Sequence, residues 1–466
     1  MPLSPDIIDS VTVIEAASPR IPGKDVPIIA VQLTGPQITA WDAAFPGGEL
    51  IASVTQGTWQ AVLTSLGFVD GDPLWEELQT GFGIQAAVPA IVLIGREAVP
   101  VAQITVFDLG VAGAAVDGDY TITLASAGET TDFTHTASGE TRAQVVTALI
   151  ALVDADPLYT AVNGGDAEQI AVTAANAGIS FSFAAAAPSP EAWLTLTSQA
   201  SVGLATDLAA WEAQRSDWYF VTELSRSPLV NRAMVGPVAS HPRDIVFGSQ
   251  VSSATDPNAT TDTADRAAAY ITTSQRTFLA NVPSGTDHDL GAHYFRLLPT
   301  APGEYTWTNV ECRPIDGDGY TELQTRALRG KDTNPGQYWY YEALETRNFG
   351  VSRNARMGDG TKFEFVRDRD YLNNQIIVDV SNAIIDAPKI IYDDSGAAQI
   401  TGVILGVLAG AETSRIILPG YTVTTLPRSA QVPADIAAGE WKGWTWEATL
   451  AGSIDAVTIR GTLFIV

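Results

Sequence analysis

The sequence predicts a multidomain protein of α/β and α+β parts, with a mixed-sheet core formed from N- and C-terminal regions. The chain has 466 residues, more than one ordinary hydrophobic core organises. Strand-like and helix-like runs alternate on both sides of a stretch of different composition. These observations predict an arm over residues 1–27, an α/β part over 28–103, an inserted β-rich surface domain over 104–200, a central α/β domain over 201–345 and a C-terminal domain over 346–466.

Residues 1–27 are predicted to be an extended arm. Prolines prevent a helix there, and the piece is too short to form a core; they are Pro2, Pro5, Pro19, Pro22 and Pro27. One short β-prone run, Ile7 to Ile14, lies among them. We expect its apolar side chains to take part in strand exchange between subunits; they are Ile7, Ile8, Val11 and Val13.

Periodicity then predicts alternating elements up to the end of the second part. Strands are expected at Ile28–Leu33 and Ala90–Ile94, and helices at Thr58–Leu66 and Pro73–Leu78. Such alternation is typical of α/β proteins.

Residues 104–200 contain a single basic residue, Arg142, against 11 acidic residues. Short strands are predicted at Tyr120–Leu124, Asp132–Thr136, Gln169–Ala174, Ile179–Phe183 and Trp193–Thr197. One helix interrupts them, because Thr141 and Gln144 have the spacing of a capping box. A buried helical stripe follows, made of Val146, Leu149, Ile150 and Val153. The change of composition at both ends predicts an inserted domain on the surface.

The central and C-terminal parts resume the alternation of helices and strands. Buried strands are predicted at Trp218–Leu224 and Ile245–Gln250, and a polar loop at Ser252–Thr263. Two helices follow, the first with a stripe of Leu372, Ile376, Val380 and Ile384, the second with a stripe of Ile400, Val403, Ile404, Val407 and Leu408 that ends at Gly410.

The last part of the chain reads as β-strands with exposed edges. Apolar and polar residues alternate from Trp444 to Leu450, which places Trp444 and Trp446 on one face of a strand. The alternation returns further on, with Val457, Ile459, Leu463 and Ile465 on one face. An apolar strand needs a partner at its edge. Either the strand completes its own subunit's sheet, or it joins the six residues just named to inter-subunit strand exchange with the arm.

Charge limits the partners. The net charge of −27 argues against binding a nucleic-acid backbone, which requires clustered basic residues. One stretch is locally basic, and we expect it to dock on the tube or on a neighbouring subunit; its residues are Arg353, Arg356, Lys362, Arg367 and Arg369. The alternative is that these charges only keep a large protein soluble.

Other sequence features predict the compartment and exclude a membrane. The apolar stretch Ala86–Gly95 contains a proline and is far shorter than the roughly 20 residues of a membrane span, so no membrane insertion is expected. The N-terminal residues show no secretion signal. Cys312 is alone, which excludes an intrachain disulfide and fits synthesis in the cytoplasm.

No catalytic constellation is found, and the chain is expected not to be an enzyme and to hold no cofactor or metal. The common nucleophile, zinc-protease and nucleotide-binding motifs are missing from the sequence. Gly358 to Lys362 is expected to be a turn rather than a phosphate loop. Asp316 to Gly319 lacks the glycine that a calcium loop needs. The group Asp287, His288, Asp289 and His293 has metal-ligand residues, but surface side chains are the expectation.

Several segments together resemble the C-terminal core of contractile phage tail sheath proteins, and the resemblance covers residues 335–466. They are Asn348–Val351, Gly358–Thr361, Arg367–Leu372, Ala387–Gly396, Gly420–Val423 and Leu450–Leu463. Residues 205–334 fit the family's central region loosely, and 104–200 resemble its outer insertions only in placement. Ile391 stands where the related pattern often has a second proline.

The resemblance implies a virion structural protein that is assembled in the host cytoplasm. It would form stacked hexameric rings wound helically around an inner tail tube, and its shortening would drive the tube through the host envelope. The implied partners are other copies of the chain, the tail tube protein, and the baseplate and tail terminator proteins. An alternative from another class is a virion surface module that recognises a glycan or receptor through residues 104–200.

Overall fold

The computed structural model describes residues 26–84, 89–224, 226–251, 271–282, 293–312, 321–330, 337–343 and 350–453. These residues divide into two compact units. Unit 1 consists of residues 300–309 and 362–453, and unit 2 of the other described residues. Several predictions concern residues outside the described ranges: Ile7, Ile8, Val11, Val13, Val457, Ile459, Leu463, Ile465, the loop Ser252–Thr263, the segment Asp316–Gly319, and Asp287, His288 and Asp289.

The described strands are β1 Pro27–Val31, β2 Ile51–Val54, β3 Val92–Arg96, β4 Ile104–Asp108, β5 Gly118–Ser126, β6 Glu129–Ala137, β7 Tyr159–Asn163, β8 Gln169–Ala174, β9 Phe181–Ala186, β10 Leu194–Gln199, β11 Phe220–Glu223, β12 Val246–Val251, β13 Thr277–Asn281, β14 Glu311–Cys312, β15 Tyr340–Ala343, β16 Gly350–Arg353, β17 Thr422–Thr424 and β18 Thr445–Glu447. The described helices are α1 Gly35–Ala44, α2 Trp59–Ser65, α3 Pro73–Ile84, α4 Arg142–Asp154, α5 Leu204–Gln214, α6 Pro228–Ala233, α7 Val235–Ala239, α8 Phe295–Leu297, α9 Glu322–Leu328, α10 Phe363–Asp386, α11 Asp394–Thr413 and α12 Pro433–Ala438. The chain is thus a mixed α/β protein, as the sequence predicts.

The six-stranded sheet of unit 2 has the order β13-β12-β11-β1-β3-β2. Its strands are parallel except β2, which runs antiparallel to β3. Successive side chains of β1 enter different cores: Ile29 packs with Trp41 and Trp59, whereas Ile28 packs with Trp211. A parallel sheet covered on both faces needs such continuously apolar strands.

The origin of this sheet differs from the prediction in one respect. Its strands come from residues 27–96 and 220–281, so the N-terminal part is completed by the predicted central domain and not by the C-terminal one. Parallel neighbours need a long crossover connection. The chain between β3 and β11 supplies one, and all of β4 to β10 lies within it.

Residues 104–199 build two antiparallel sheets, of order β10-β4-β8-β7 and β6-β5-β9, which share an apolar core with α4. The predicted capping box is confirmed, because Thr141 N donates to Gln144 Oε1 at 2.8 Å and Gln144 N donates to Thr141 Oγ1 at 3.3 Å. Strands β4 and β7 are not evident in the sequence; each is short, and its pairing with β8 defines it. The placement of this segment as an inserted outer domain stays a prediction.

Helices α10 and α11 of unit 1 pack on each other through one apolar core. Leu372 and Ile376 are buried there, but Ile384 is 50% exposed, so its predicted place in the stripe is wrong. Helix α11 also continues past Gly410 and ends at Thr413, two residues before Arg415 adopts a φ of 61°. The glycine does not end the helix because packing on α10 continues beyond it, through Ala411.

Among the described residues, α11 is the one helix that by length and composition is able to span a bilayer. However, 39% of its apolar window is buried inside the protein. A buried core helix has the same composition as a membrane helix. The helix is therefore weak evidence for a membrane.

Candidate assembly site

The predicted docking residues Arg353 and Arg356 belong to unit 2. Arg353 Nε donates to Glu342 Oε2 on β15 at 2.7 Å. Arg356 Nη1 donates to the carbonyl oxygen of Gly360 at 2.8 Å, within a turn that the Gly360 N–H closes on Met357. The prediction that Gly358 to Lys362 is a turn is thereby confirmed. Both arginines are half-buried and have partners in their own chain.

The other three docking residues, Lys362, Arg367 and Arg369, lie at the start of α10 in unit 1. Arg367 is 4% exposed, and its Nη2 donates to the carbonyl oxygen of Thr300 at 2.6 Å. Its guanidinium lies 5.8 Å from the centre of the Trp307 ring. Arg367 therefore holds the interior of unit 1 together, whereas the side chains of Lys362 and Arg369 are 15% and 21% exposed.

The same end of α10 holds Ser453, the last described residue. Ser453 N and Oγ donate to Glu364 Oε1 at 3.0 and 2.8 Å. Lys362 Nζ donates to the carbonyl oxygen of Ser453 at 2.7 Å. The Oγ atom of Ser453 also lies 3.1 Å from Thr306 Oγ1. Glu364 and Ser453 are 89 residues apart. No local pattern in the sequence announces this contact.

The predicted strand around Trp446 is confirmed as the half-buried strand β18. It pairs antiparallel with β17, and Trp446 lies opposite Val423. Trp444, Trp446, Ala448 and Leu450 pack against the core of unit 1, while Thr445, Glu447 and Thr449 are exposed. Trp444 Nε1 donates to Thr401 Oγ1 of α11 at 3.2 Å. In the described part of the chain this sheet has two strands.

Unit 1 exposes large apolar side chains on both long helices and on the chain that follows them. Ile377, Ile384 and Ile385 of α10 are 37%, 50% and 55% exposed, and Leu405 of α11 is 39% exposed. Further exposed members are Ile391, Leu418, Leu426 and Val432. Scattered exposed apolar residues are normal on a soluble protein. A concentration of them on a short unit is typical of a surface that another protein covers.

One carboxyl group next to the Ser453 contact is strongly perturbed. Burial raises the pKa of Asp368 to about 7, and the nearby carboxylate of Glu364 adds to the rise. The positive charge of Arg367 and the backbone N–H of Gly303 oppose it. The first two turns of α10 therefore contain a carboxyl that titrates near neutral pH.

A second group of perturbed carboxyls lies in unit 2, just after β3. Burial raises the pKa of Glu97 to about 8, and the negative charges of Glu223 and Asp207 contribute. Burial also raises the pKa of Asp207 to about 6, although its Oδ2 accepts a hydrogen bond from Ala98 N at 3.2 Å. Over the described residues, no group of three or more His, Cys, Asp or Glu has the arrangement of a metal site.

The expectation of surface histidines is wrong for His293. Its side chain is fully buried, and Nδ1 lies 3.3 Å from Tyr341 Oη. The ring also lies beside Tyr294 and Trp339. Two of these aromatic residues are more than forty positions away in sequence, so the polar sequence around His293 does not reveal its environment.

Comparisons with known proteins agree with the resemblance to tail sheath proteins. The fold is similar to the sheath tail protein Lin1278 from Listeria innocua, with 10% identity, a TM-score of 0.41, and 92% of this chain and 95% of that chain covered. It is similar to a sheath structure in the contracted state from the extracellular contractile injection system PVC, with 9% identity, a TM-score of 0.45 and coverages of 94% and 91%.

A third similar structure comes from the baseplate of the anti-feeding prophage, with 10% identity, a TM-score of 0.42, and 56% of this chain and 73% of that chain covered. No family model and no curated protein sequence matches the chain. At these TM-scores the similarities support no conclusion about what this chain binds.

Proposed function

We propose that this chain is the structural subunit of a contractile tail sheath. In this role it polymerises as stacked helical hexameric rings around a tail tube, and contraction of the polymer drives the tube through the host envelope. The observation that carries the proposal is the concentration of exposed apolar side chains on unit 1, the unit that includes most of the segment with sheath-like sequence. Its other partners would be baseplate and tail terminator proteins, and its place the virion tail.

The apolar surface of unit 1 favours self-association for a physical reason. Each half-exposed isoleucine on α10 keeps apolar area in water, at a cost of about 25 cal/mol for every Å². A neighbouring copy that covers Ile384 and Ile385 recovers this free energy. Because every subunit presents the same surface, the gain repeats along a polymer.

The ribbon of β17 and β18 favours strand exchange as the link between copies. A two-stranded ribbon is marginal in water, and this one is held by packing on α11. It leads directly towards residues 454–466, which contain the alternating apolar positions Val457, Ile459, Leu463 and Ile465. We propose that these pair with the run Ile7 to Ile14 of a neighbour, where main-chain hydrogen bonds give strength and alternate side chains fix register.

The experiment compares the full chain with variants that lack residues 454–466 or residues 1–20. Sedimentation velocity and negative-stain electron microscopy report assembly, and circular dichroism reports folding. We expect tubes from the full chain and folded monomers from both truncated variants. If the strand instead completes its own subunit, the C-terminal truncation unfolds the protein and the N-terminal one still gives tubes. A full chain that stays monomeric at every concentration contradicts the sheath role.

A surface-binding module is the second candidate, and one observation favours it. Leu194 and Leu196 on the edge strand β10 are 71% and 66% exposed, and Val162 on the opposite edge strand β7 is 60% exposed. Apolar side chains on sheet edges are typical docking points. Under this candidate, a variant without residues 104–200 loses attachment to host cells, while particle assembly is unaffected.

A further inference from the structure

Every polar group of Ser453 has a partner at the start of α10. The N–H and hydroxyl groups donate to one carboxylate oxygen of Glu364, at 3.0 and 2.8 Å, and the carbonyl oxygen accepts from Lys362 Nζ at 2.7 Å. The Thr306 hydroxyl is 3.1 Å from Ser453 Oγ. Hydrogen bonds to ionised groups are about twice as strong as those between neutral groups. An exposed chain terminus does not need such a set of contacts.

The two charged partners are themselves held in place. Glu364 lies in the first turn of α10, where the helix dipole favours a negative charge. Lys362 Nζ is 3.7 Å from Glu364 Oε1, and the two side chains are only 15% and 12% exposed. The pair is therefore less screened by salt than an ion pair on the open surface.

The residue before Ser453 is fixed by steric contact. A Cβ atom on Gly452 would lie 2.6 Å from Cζ of Phe365, so a larger residue would require the aromatic ring to move. The backbone therefore crosses directly over α10 at this point. Position and direction of the chain are both set at residues 452 and 453, immediately before residues 454–466.

We propose that Lys362, Glu364 and Thr306 form a clamp on Ser453 that sets where residues 454–466 leave the subunit and so allows them to reach a neighbouring copy. This inference rests on the proposed function and adds its positioning residues. With the clamp open, the segment starts from a wider range of positions, and the effective concentration of the strand at its partner falls. Folding of unit 1 does not depend on the clamp, because its core lies between α10, α11 and the ribbon.

The test uses the full chain with Glu364→Ala, Ser453→Ala and, as a control, Asp386→Asn. Asp386 is an exposed carboxylate at the other end of α10, so its variant changes charge without touching the clamp. Hydrogen exchange of the Ser453 amide reports the clamp itself. We expect about tenfold faster exchange in Glu364→Ala, because a hydrogen bond to a charged group is lost. We expect a smaller increase in Ser453→Ala and none in Asp386→Asn.

Assembly is then measured by sedimentation for the same variants. Folded Glu364→Ala that remains monomeric at concentrations where the full chain and Asp386→Asn form tubes supports the clamp. Glu364→Ala or Ser453→Ala that exchanges faster but forms tubes as readily as the full chain overturns the positioning role and leaves the sheath role intact. An original chain that forms no tubes overturns the sheath role, and the positioning role with it. If Glu364→Ala unfolds, Ser453→Ala, which removes one oxygen, decides the question by the same criteria.

Discussion

At the scale of single residues, local sequence predicts contacts within a few positions and fails for contacts made across the chain. Thr141 and Gln144 form their capping box because both partners belong to one turn. Ser453 meets Glu364 and His293 meets Tyr341 only after folding, and neither pair has a signal in the sequence. The docking residues show the same limit, since a basic run does not reveal that Arg367 is buried.

The raised pKa of Asp368 predicts how stability depends on pH. In the unfolded chain the pKa returns to its ordinary value of 3.8, whereas in the folded chain it is about 7. The folded state therefore binds more protons between these values, and the free energy of unfolding decreases as pH rises through this window. Hydrogen exchange of α10 at about pH 5 and about pH 8 measures the change in unit 1.

Asp368→Asn should remove this part of the pH dependence, because an amide does not titrate. Asp386→Asn is the matched control, since Asp386 is exposed on the same helix. The neighbouring charges of Glu364 and Arg367 are unchanged in both variants. An equal pH dependence in the original chain and in Asp368→Asn would show that Asp368 is not the titrating group.

The partly accessible arginines give a prediction about salt. Arg353→Glu combined with Arg356→Glu should weaken assembly, and added salt should weaken assembly of the original chain. Each exposed ion pair contributes only about 0–1 kcal/mol, but every subunit repeats it. Arg415→Glu, at an exposed position after α11, serves as the control. Normal assembly of the double variant at low and high salt would contradict docking by this stretch.

At the scale of elements, periodicity identifies helices but not their whole buried face. Four residues advance a helix by about 400°, so a stripe spaced by four drifts by about 40° at each step. Three such steps from Leu372 bring Ile384 about 120° away from the core, where it is half-exposed. The apparent stripe therefore contains two functions, with Leu372 and Ile376 in the core and Ile384 on the outside.

This outer face of α10 predicts a separation of folding from assembly. Ile384→Asn combined with Ile385→Asn should change the free energy of unfolding by only about 0.5 kcal/mol for each substitution, since both sites are exposed. The same change should raise the concentration needed for assembly, because the face that a neighbour would cover becomes polar. Leu152→Asn on α4, which is 42% exposed in unit 2, is the control. Sedimentation across a concentration series measures the difference.

At the scale of the whole molecule, the sequence predicts the mixed α/β class but assigns one region of the sheet incorrectly. Composition marks the change of character at residues 104–200, because surface charge is visible without knowing the fold. Sheet order is different information. The partners of β1 are β3 and β11, and which of several apolar strands lies beside it is decided by packing on both faces.

Removing residues 104–200 is the prediction at this scale. A variant that joins Gln103 to Ser201 through a short Gly/Ser linker should fold and form tubes, because the remaining sheet of unit 2 uses no strand from this segment. One contact is lost, between Arg232 Nη1 and Glu129 Oε1 at 3.1 Å. The side chain of Arg232 is 7% exposed, so some loss of stability is expected. Insoluble protein or the absence of all tubes would reject this prediction.

The hydrogen bonds where this segment begins and ends have a practical consequence. Val101 N donates to Val202 O at 3.0 Å, and Val202 N donates to Val101 O at 3.1 Å. Residues paired in this way have Cα atoms about 5.5 Å apart. The site is thus a ready-made socket for any foreign domain whose termini lie close together. A fluorescent protein or an antibody fragment grafted there would be displayed once per subunit, at the regular spacing of the array.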